Sequence, residues 1–268
     1  MSVTNRMYGR FLVTYYSEPV PASKLVDKIL KAPALLNEGR GGIRIVEVAG
    51  KKLVCRQYLH GGLFRAFTRD LFFSANRSAR EVEILLHLKE RGFPVITPFA
   101  TLTEAGILTK KLYLVSTLEE GAINLLDYVK RSGRRARLRA VRRFAELLWR
   151  LEEAGVYHPD LHLRNVVLTT EGEMLFLDFD KAARKSIDRE DVKSMLWRLA
   201  RFVEKMERLG ELTADEKEKL LFLRTYERLS RRNMIDEMQK KMKRKGFLHR
   251  IGWFIESLFY GRSRPPRA

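Results

Sequence analysis

The stretch YHPDLHLRNVVLTTEGEMLFLDFD, residues 157–180, sets two histidines, an asparagine and three aspartates among apolar runs of strand character. Carboxylates beside buried strands are costly unless they are paired, hydrogen-bonded or bound to metal. Turn chemistry accounts for the residues one at a time: Asp160 and Asn165 could cap a turn, and Asp178 could end a strand. Phosphoryl transfer accounts for all of them together. That chemistry needs a cradle for the phosphates, a cation to hold them, oxygen ligands for Mg²⁺ and a carboxylate near the attacking hydroxyl.

Such residues need elements to position them. A helix over 138–154, with Val141, Phe144, Ala145, Leu148 and Leu151 at helical spacing and Gly155 at its close, leads into the stretch. NVVL and MLFLDF are two short strands joined by TTEGE, a hairpin that would return Asp178 to the edge where Asn165 sits. Further upstream, IRIVEV (43–48) alternates as a strand, AGK turns, and KLVCRQY (52–58) returns. The glycine-rich NEGRGG precedes this pair. Helices are expected over 23–31, after Pro21, and over 78–91, where Val82, Leu85 and Leu86 form an apolar face ended by Gly92 and Pro94. KLYLVSTL (111–118) is a further strand, 125–130 begins a helix, and 191–245 is largely helical and highly charged. A strand-rich part followed by a helix-rich part predicts an α+β fold of two lobes with a cleft between them. The boundaries expected are 1–117 for the N-terminal lobe, 118–245 for the catalytic lobe and 246–268 for a basic amphipathic segment.

Composition narrows the partners. The chain has 268 residues, 45% of them hydrophobic, enough for a real core. Its 52 basic against 33 acidic residues, net +19, imply attraction to nucleic acid, an anionic membrane surface or a phosphorylated substrate, without choosing among them. The charge is densest in RSGRRARLRAVRR (131–143), a solvated helix face or a binding site, and in KKMKRK (240–245). No apolar run approaches the ~20 residues that span a bilayer. The first residues lack the features of a secretory signal, and the single cysteine, Cys55, suits a reducing compartment, so a cytoplasmic location is expected. GFLHRIGWFIESLFYGRSR (246–264) combines apolar residues with basic flanks, as an interfacial segment or a last core helix would.

The order of these pieces resembles the protein-kinase family. HPDLHLRN is similar to the catalytic loop H-R-D-L-x-x-x-x-N, and LDFD to L-D-F-G. The resemblance implies ATP and Mg²⁺, with Asp160 as catalytic base and Asn165 and Asp178 as metal ligands. His162 stands where protein kinases usually carry a lysine, in reach of the transferred phosphate or simply on the surface; His158 would hold the loop. Gly39, Gly41 and Gly42 of GRGG would cover the phosphates with backbone N–H groups. Arg56 would replace the third-strand lysine and pair with Glu81, Glu83 facing elsewhere on the helix. Thr117 and Glu119, with the backbone of 116–118, fall where the interlobe hinge contacts adenine.

Several positions depart from protein kinases: Pro159 replaces the loop arginine, Asp180 the glycine of DFG, and no A-P-E segment docks a peptide. The chain more closely resembles the lipopolysaccharide core kinases, through RQYLHGGLFRAF (56–67), AREVEILLHLKERGFPVITPFA (79–100), GVYHPDLHLRNVVL (155–168) and LFLDFDKA (175–182). That resemblance implies a protein-kinase-like two-lobed fold and ATP-dependent phosphorylation of 3-deoxy-D-manno-octulosonic acid (Kdo), at its 4-hydroxyl, on the lipid A inner core. It further implies a peripheral enzyme on the cytoplasmic face of a bacterial inner membrane. The expected partners are a Kdo-lipid A type glycolipid and an anionic membrane surface, with neither DNA, RNA nor an obligate protein partner. The competing readings are an RNA-associated or other small-molecule kinase of the same superfamily, and a pseudokinase scaffold on anionic membranes.

Overall fold

In the computed structural model, which describes residues 3–35, 42–59 and 70–238, strands β3 (Ile43–Val48) and β4 (Lys51–Gln57) form a hairpin across Ala49 and Gly50. Both turn residues take positive φ, 51° and 73°, the geometry that lets two residues reverse a right-twisted ribbon. Alternation then sorts the side chains of β4. Leu53 and Cys55 are buried on one face, while Val54 and Arg56 line a cleft on the other.

The hairpin is one edge of a six-stranded antiparallel sheet, in the order β1-β2-β5-β6-β4-β3. Here β1 is Thr4–Tyr8, β2 Phe11–Tyr15, β5 Pro98–Ala105 and β6 Lys110–Thr117. Three of these strands, β1, β2 and β5, escape the sequence reading. β5 is buried along most of its length and β1 is exposed along most of its own, so neither shows a two-residue rhythm. Helix α1 (Ala22–Lys31) covers the outer face of the sheet, inserting Leu25, Val26 and Ile29 among Val13, Tyr15, Phe99 and Val115.

The inner face is shared with the rest of the chain. Helix α2 (Asn76–Glu90) buries Val82, Leu85 and Leu88 in a core that also takes Leu112 and Leu114 of β6 and Phe144, Leu147, Leu148 and Leu151 of helix α4 (Arg134–Glu153). Each such leucine contributes about 2 kcal/mol, so sheet and helices are held by a common apolar contact. Between them run β7 (Ile123–Asn124) and helix α3 (Leu125–Arg131), whose Asn124 cap accepts from the Asp127 N–H at 3.0 Å.

The helix-rich part continues with β8 (Val156–Tyr157), β9 (Val166–Leu168), β10 (Met174–Phe176) and β11 (Ala183–Arg184). It ends, among the described residues, in helices α5 (Arg189–Arg208) and α6 (Glu216–Ser230) and a short turn of helix at 235–238. Asp188 and Asp215 open the two long helices with capping boxes. The largely helical stretch expected over 191–245 is thus, among the described residues, two helices divided at Gly210, which takes φ 69°; residues 239–245 lie outside the described residues. The observed fold is the expected α+β arrangement of a strand-rich and a helical lobe. Among the described residues no helix is long and apolar enough to cross a membrane. Gly39, Gly41, the HGGLFRAF stretch and segment 246–268 lie outside the described residues.

Candidate active site

Two short antiparallel pairings assemble the site. Tyr157 pairs with Ala183 and Val166 with Phe176, so the loops 158–165 and 177–182 are pinned side by side at both ends. The Leu177 N–H donates to the Asn165 carbonyl at 2.8 Å, fastening one loop to the other. Asp160, Asn165 and Asp178, with His162, thereby line one cleft of about 1110 Å³, facing Arg56, Thr117 and Glu119 from the sheet side.

On the sheet side, Arg56 gives both bonds of its Nη2 to Glu81, at 2.7 Å each, and Nη1 to Asp178 Oδ1 at 3.0 Å. Glu81 is fully buried and also accepts from the Tyr58 hydroxyl and, at 3.1 Å, from the Phe179 N–H. Burial pushes the Glu81 carboxyl up, against the pull of Arg56. Burial also works against the Arg56 charge, but Glu81 and Asp178 outweigh it and hold the guanidinium protonated. Glu83 is exposed and meets Arg184 instead, which settles the partner of Arg56 as Glu81. Asp178 itself sits at φ 59°, a left-handed conformation that costs a non-glycine residue about 1–3 kcal/mol and clusters at functional sites.

On the helical side, Asp160 accepts from Arg198 of α5 through Nε at 3.0 Å and through Nη2, and Lys181 stands 4.0 Å away. Burial raises the Asp160 carboxyl, yet the hydrogen bond and charge of Arg198 bring it below its ordinary value, so it is an anion. The Asn165 amide nitrogen donates to the Asp160 carbonyl at 3.0 Å, which assigns the amide and leaves its oxygen for another partner. His162 is neither a free surface group nor a cation. Its ring stacks on Phe202 at 4.7 Å, and burial lowers its pKa to about 4. His158 is buried, with its backbone N–H on Met195 sulfur at 3.4 Å and its ring beside Phe179 at 4.9 Å, the loop-holding place expected of it.

The oxygens fit a magnesium–nucleotide complex. Asn165 Oδ1 and Asp178 Oδ2 could supply two hard ligands, the number Mg²⁺ takes where phosphates and water complete its shell. Among the described residues no group of three or more acids, histidines or cysteines could hold a metal unaided. Thr117 and Glu119 line the cleft, but the N–H groups of Thr117 and Leu118 are spent on Thr97 and Lys52 carbonyls at 3.1 and 3.0 Å. Gly42 lies beside the cleft rather than on it; an added Cβ would meet that of Ala34 at 2.4 Å, so close packing requires glycine there.

Sequence reasoning passes over two residues of the site. Arg198 is one; it lies on a helix 38 residues from Asp160 and carries no motif. Arg77 is the other. It grips both oxygens of Asp180 and, over the rings of Tyr58 and Phe72, ties the start of α2 to the DFD turn. Asp180, where a glycine was the pattern, is thus a clamp between lobes.

A strand-rich and a helical lobe enclosing an ion-paired arginine, the anionic Asp160 and the side-chain oxygens of Asn165 and Asp178 have the arrangement of a phosphotransferase of the protein-kinase type. A sequence model of the "Lipopolysaccharide kinase (Kdo/WaaP) family" matches residues 33–226, and the chain belongs to that family. It is 29% identical over 210 residues to a 3-deoxy-D-manno-octulosonic acid kinase of Xylella fastidiosa strain 9a5c, covering 75% of this chain and 78% of that protein. It is 31% identical over 147 residues to one of Xanthomonas oryzae pv. oryzae strain PXO99A, covering 53% and 58%. Among solved structures, the crystal structure of a Toxoplasma gondii specific rhoptry antigen kinase domain aligns over 56% of this chain and 49% of its own, with 14% identity and a TM-score of 0.41, too slight a likeness to bear weight.

Proposed function

We propose that the protein transfers the γ-phosphoryl group of ATP to a Kdo hydroxyl of the lipopolysaccharide inner core, the 4-hydroxyl of Kdo-lipid A. The observation that carries this reading is the convergence of Asp160, Asn165 and Asp178 with the Arg56–Glu81 pair on one cleft, in a chain whose relatives are named as Kdo kinases. Mg²⁺, held by Asn165 and Asp178, would neutralise charge on the nucleotide phosphates. Arg56 would add a fixed positive charge there, kept in place by Glu81. Asp160, anionic and oriented by Arg198, is the group to accept the proton of the attacking hydroxyl. Neutral His162 would contribute hydrogen bonding rather than charge. The exchange of DFG for DFD keeps the loop in place through Arg77.

The enzyme would work peripherally at the cytoplasmic face of the inner membrane, where a net charge of +19 favours an anionic surface. A pseudokinase is disfavoured because none of the three oxygen-bearing side chains is missing from the cleft. The test is mass spectrometry of Kdo-lipid A precursor after incubation with protein, ATP and Mg²⁺. One added phosphate on Kdo is expected; transfer only to another sugar would replace the acceptor and leave the enzyme class.

A further inference from the structure

Helix α5 runs on from the catalytic carboxylate as a basic edge. Arg198, Arg201, Lys205 and Arg208 recur at intervals of three, four and three residues, so they share one helix face, and all four line the cleft that contains Asp160. Elsewhere on these helices Lys193 meets Glu190 and Glu237, and Lys219 meets Glu207 and Glu216. Arg201, Lys205 and Arg208 are exposed and have no ion-pair partner among the described residues. Arg198 is half-used. Its Nε and Nη2 both serve one oxygen of Asp160, which leaves Nη1 without an acceptor among the described residues.

Like charges one helical turn apart repel and weaken a helix. Arg198 is matched by Asp160, and Glu204 is the one acid of α5 that lines the same cleft, so the wall keeps an excess of positive charge whose cost a bound polyanion would remove. In the reading proposed above, the nucleotide's phosphates and metal fall to Arg56, Asn165 and Asp178, which stand on other elements, and the α5 edge is left for a second anion.

We propose that this edge of α5 is the acceptor subsite, holding the closely spaced carboxylate and phosphate groups of an acidic glycolipid, with Arg198 linking that anion to Asp160. The inference rests on the kinase reading above and adds to it where the acceptor lies and what it must carry. A neutral sugar would leave the edge unpaired; an acidic one turns it into the means of bringing a hydroxyl to Asp160. Fork-shaped guanidinium groups suit carboxylate and phosphate alike.

The test uses the full chain with ATP, Mg²⁺ and Kdo-lipid A precursor, comparing wild type with Arg201→Gln, Lys205→Gln, Arg208→Gln and the triple variant. Lost charge-assisted contacts should raise the acceptor KM about tenfold for a single change, and further for the triple, well beyond any change in the KM for ATP. Two further acceptors separate the sources of charge, one with its Kdo carboxylates methyl-esterified and one with its lipid A phosphates removed. The modification that takes away the bound group should lose its own effect in the triple variant. Melting curves matching wild type confirm that exposed substitutions leave the fold alone. An unchanged acceptor KM in the triple variant, or a rise confined to ATP, would overturn the inference while wild-type turnover preserved the proposed function. No phosphate gain with wild type would remove both.

Discussion

Across the cleft, two sets of cations have opposite surroundings. On the sheet side Arg56 is held by Glu81 and Asp178, Arg77 by Asp180; Glu81 and Asp180 are buried or nearly so, and Asp178 is partly open to the cleft. On the α5 side Arg201, Lys205 and Arg208 stand exposed and form no ion pair among the described residues. A charge taken out of water must be matched by the protein itself, since removing one member strands the other. One left at the surface is hydrated and free to be matched by a ligand. The first side is therefore preorganised machinery, its charges cancelled before substrate arrives. The second is an attractive surface whose partner comes from outside. Asp160 stands between the two, joined to the exposed set by Arg198.

Removing the converging oxygens gives the largest expected effect. Asp160→Ala or Asp178→Ala should lower phosphate transfer to the acceptor by about 10³-fold or more, with cooperative melting retained. Undiminished transfer in either would break the view of the sheet and loop side as the reaction centre. Next comes Glu81→Gln, which leaves Arg56, Tyr58 and the Phe179 N–H around a weaker acceptor. Because Arg56 keeps Asp178, a loss near the lower end of the range for a broken buried pair is expected, about 3 kcal/mol in denaturant unfolding. A loss too small to resolve would mean that the pair is not preorganised.

Arg198→Gln tests the junction. Burial alone raises the Asp160 carboxyl and Arg198 lowers it, so without the arginine the pKa must move up. A depressed carboxyl is charged above its folded pKa and protonated below it. The acid limb of the kcat/KM profile should accordingly shift to higher pH, with activity lost first at the acidic end; an unmoved limb would detach Asp160 from that limb. The smallest effect expected is that of salt. At ionic strengths above about 0.1 M, where the screening length falls under ~10 Å, the acceptor KM should rise while unfolding free energy stays nearly constant. Equal sensitivity of both would erase the contrast between the two sides.

Much of this was legible beforehand because it is local. The spacing from Asp160 to Asn165 and on to Asp178 announces a loop and a returning hairpin, and β9, β10 and the turn between them lie where the pattern puts them. Helix spacing alone favours Glu81 over Glu83, since one lies on the apolar face of α2 and the other does not. β5 was hidden for an equally physical reason: buried on both faces, it has no alternation to read. Of the two places open to His162, in reach of the phosphate or on the surface, the structure puts it in the cleft; its stacking on Phe202 comes from α5, outside the motif.

What the sequence determined by itself, then, is the order of chemistry along the chain and the periodicities of its elements, because both depend on neighbours a few residues away. Which charges cancel is settled by packing between elements far apart in the chain. Arg56 meets Asp178 across 122 residues, Arg77 meets Asp180 across 103, and Arg198 meets Asp160 across 38, while three cations beside Arg198 form no ion pair among the described residues. A pattern of residue types states how many charges a protein carries. Which of them are silenced depends on distance and burial in space, and those are set by packing.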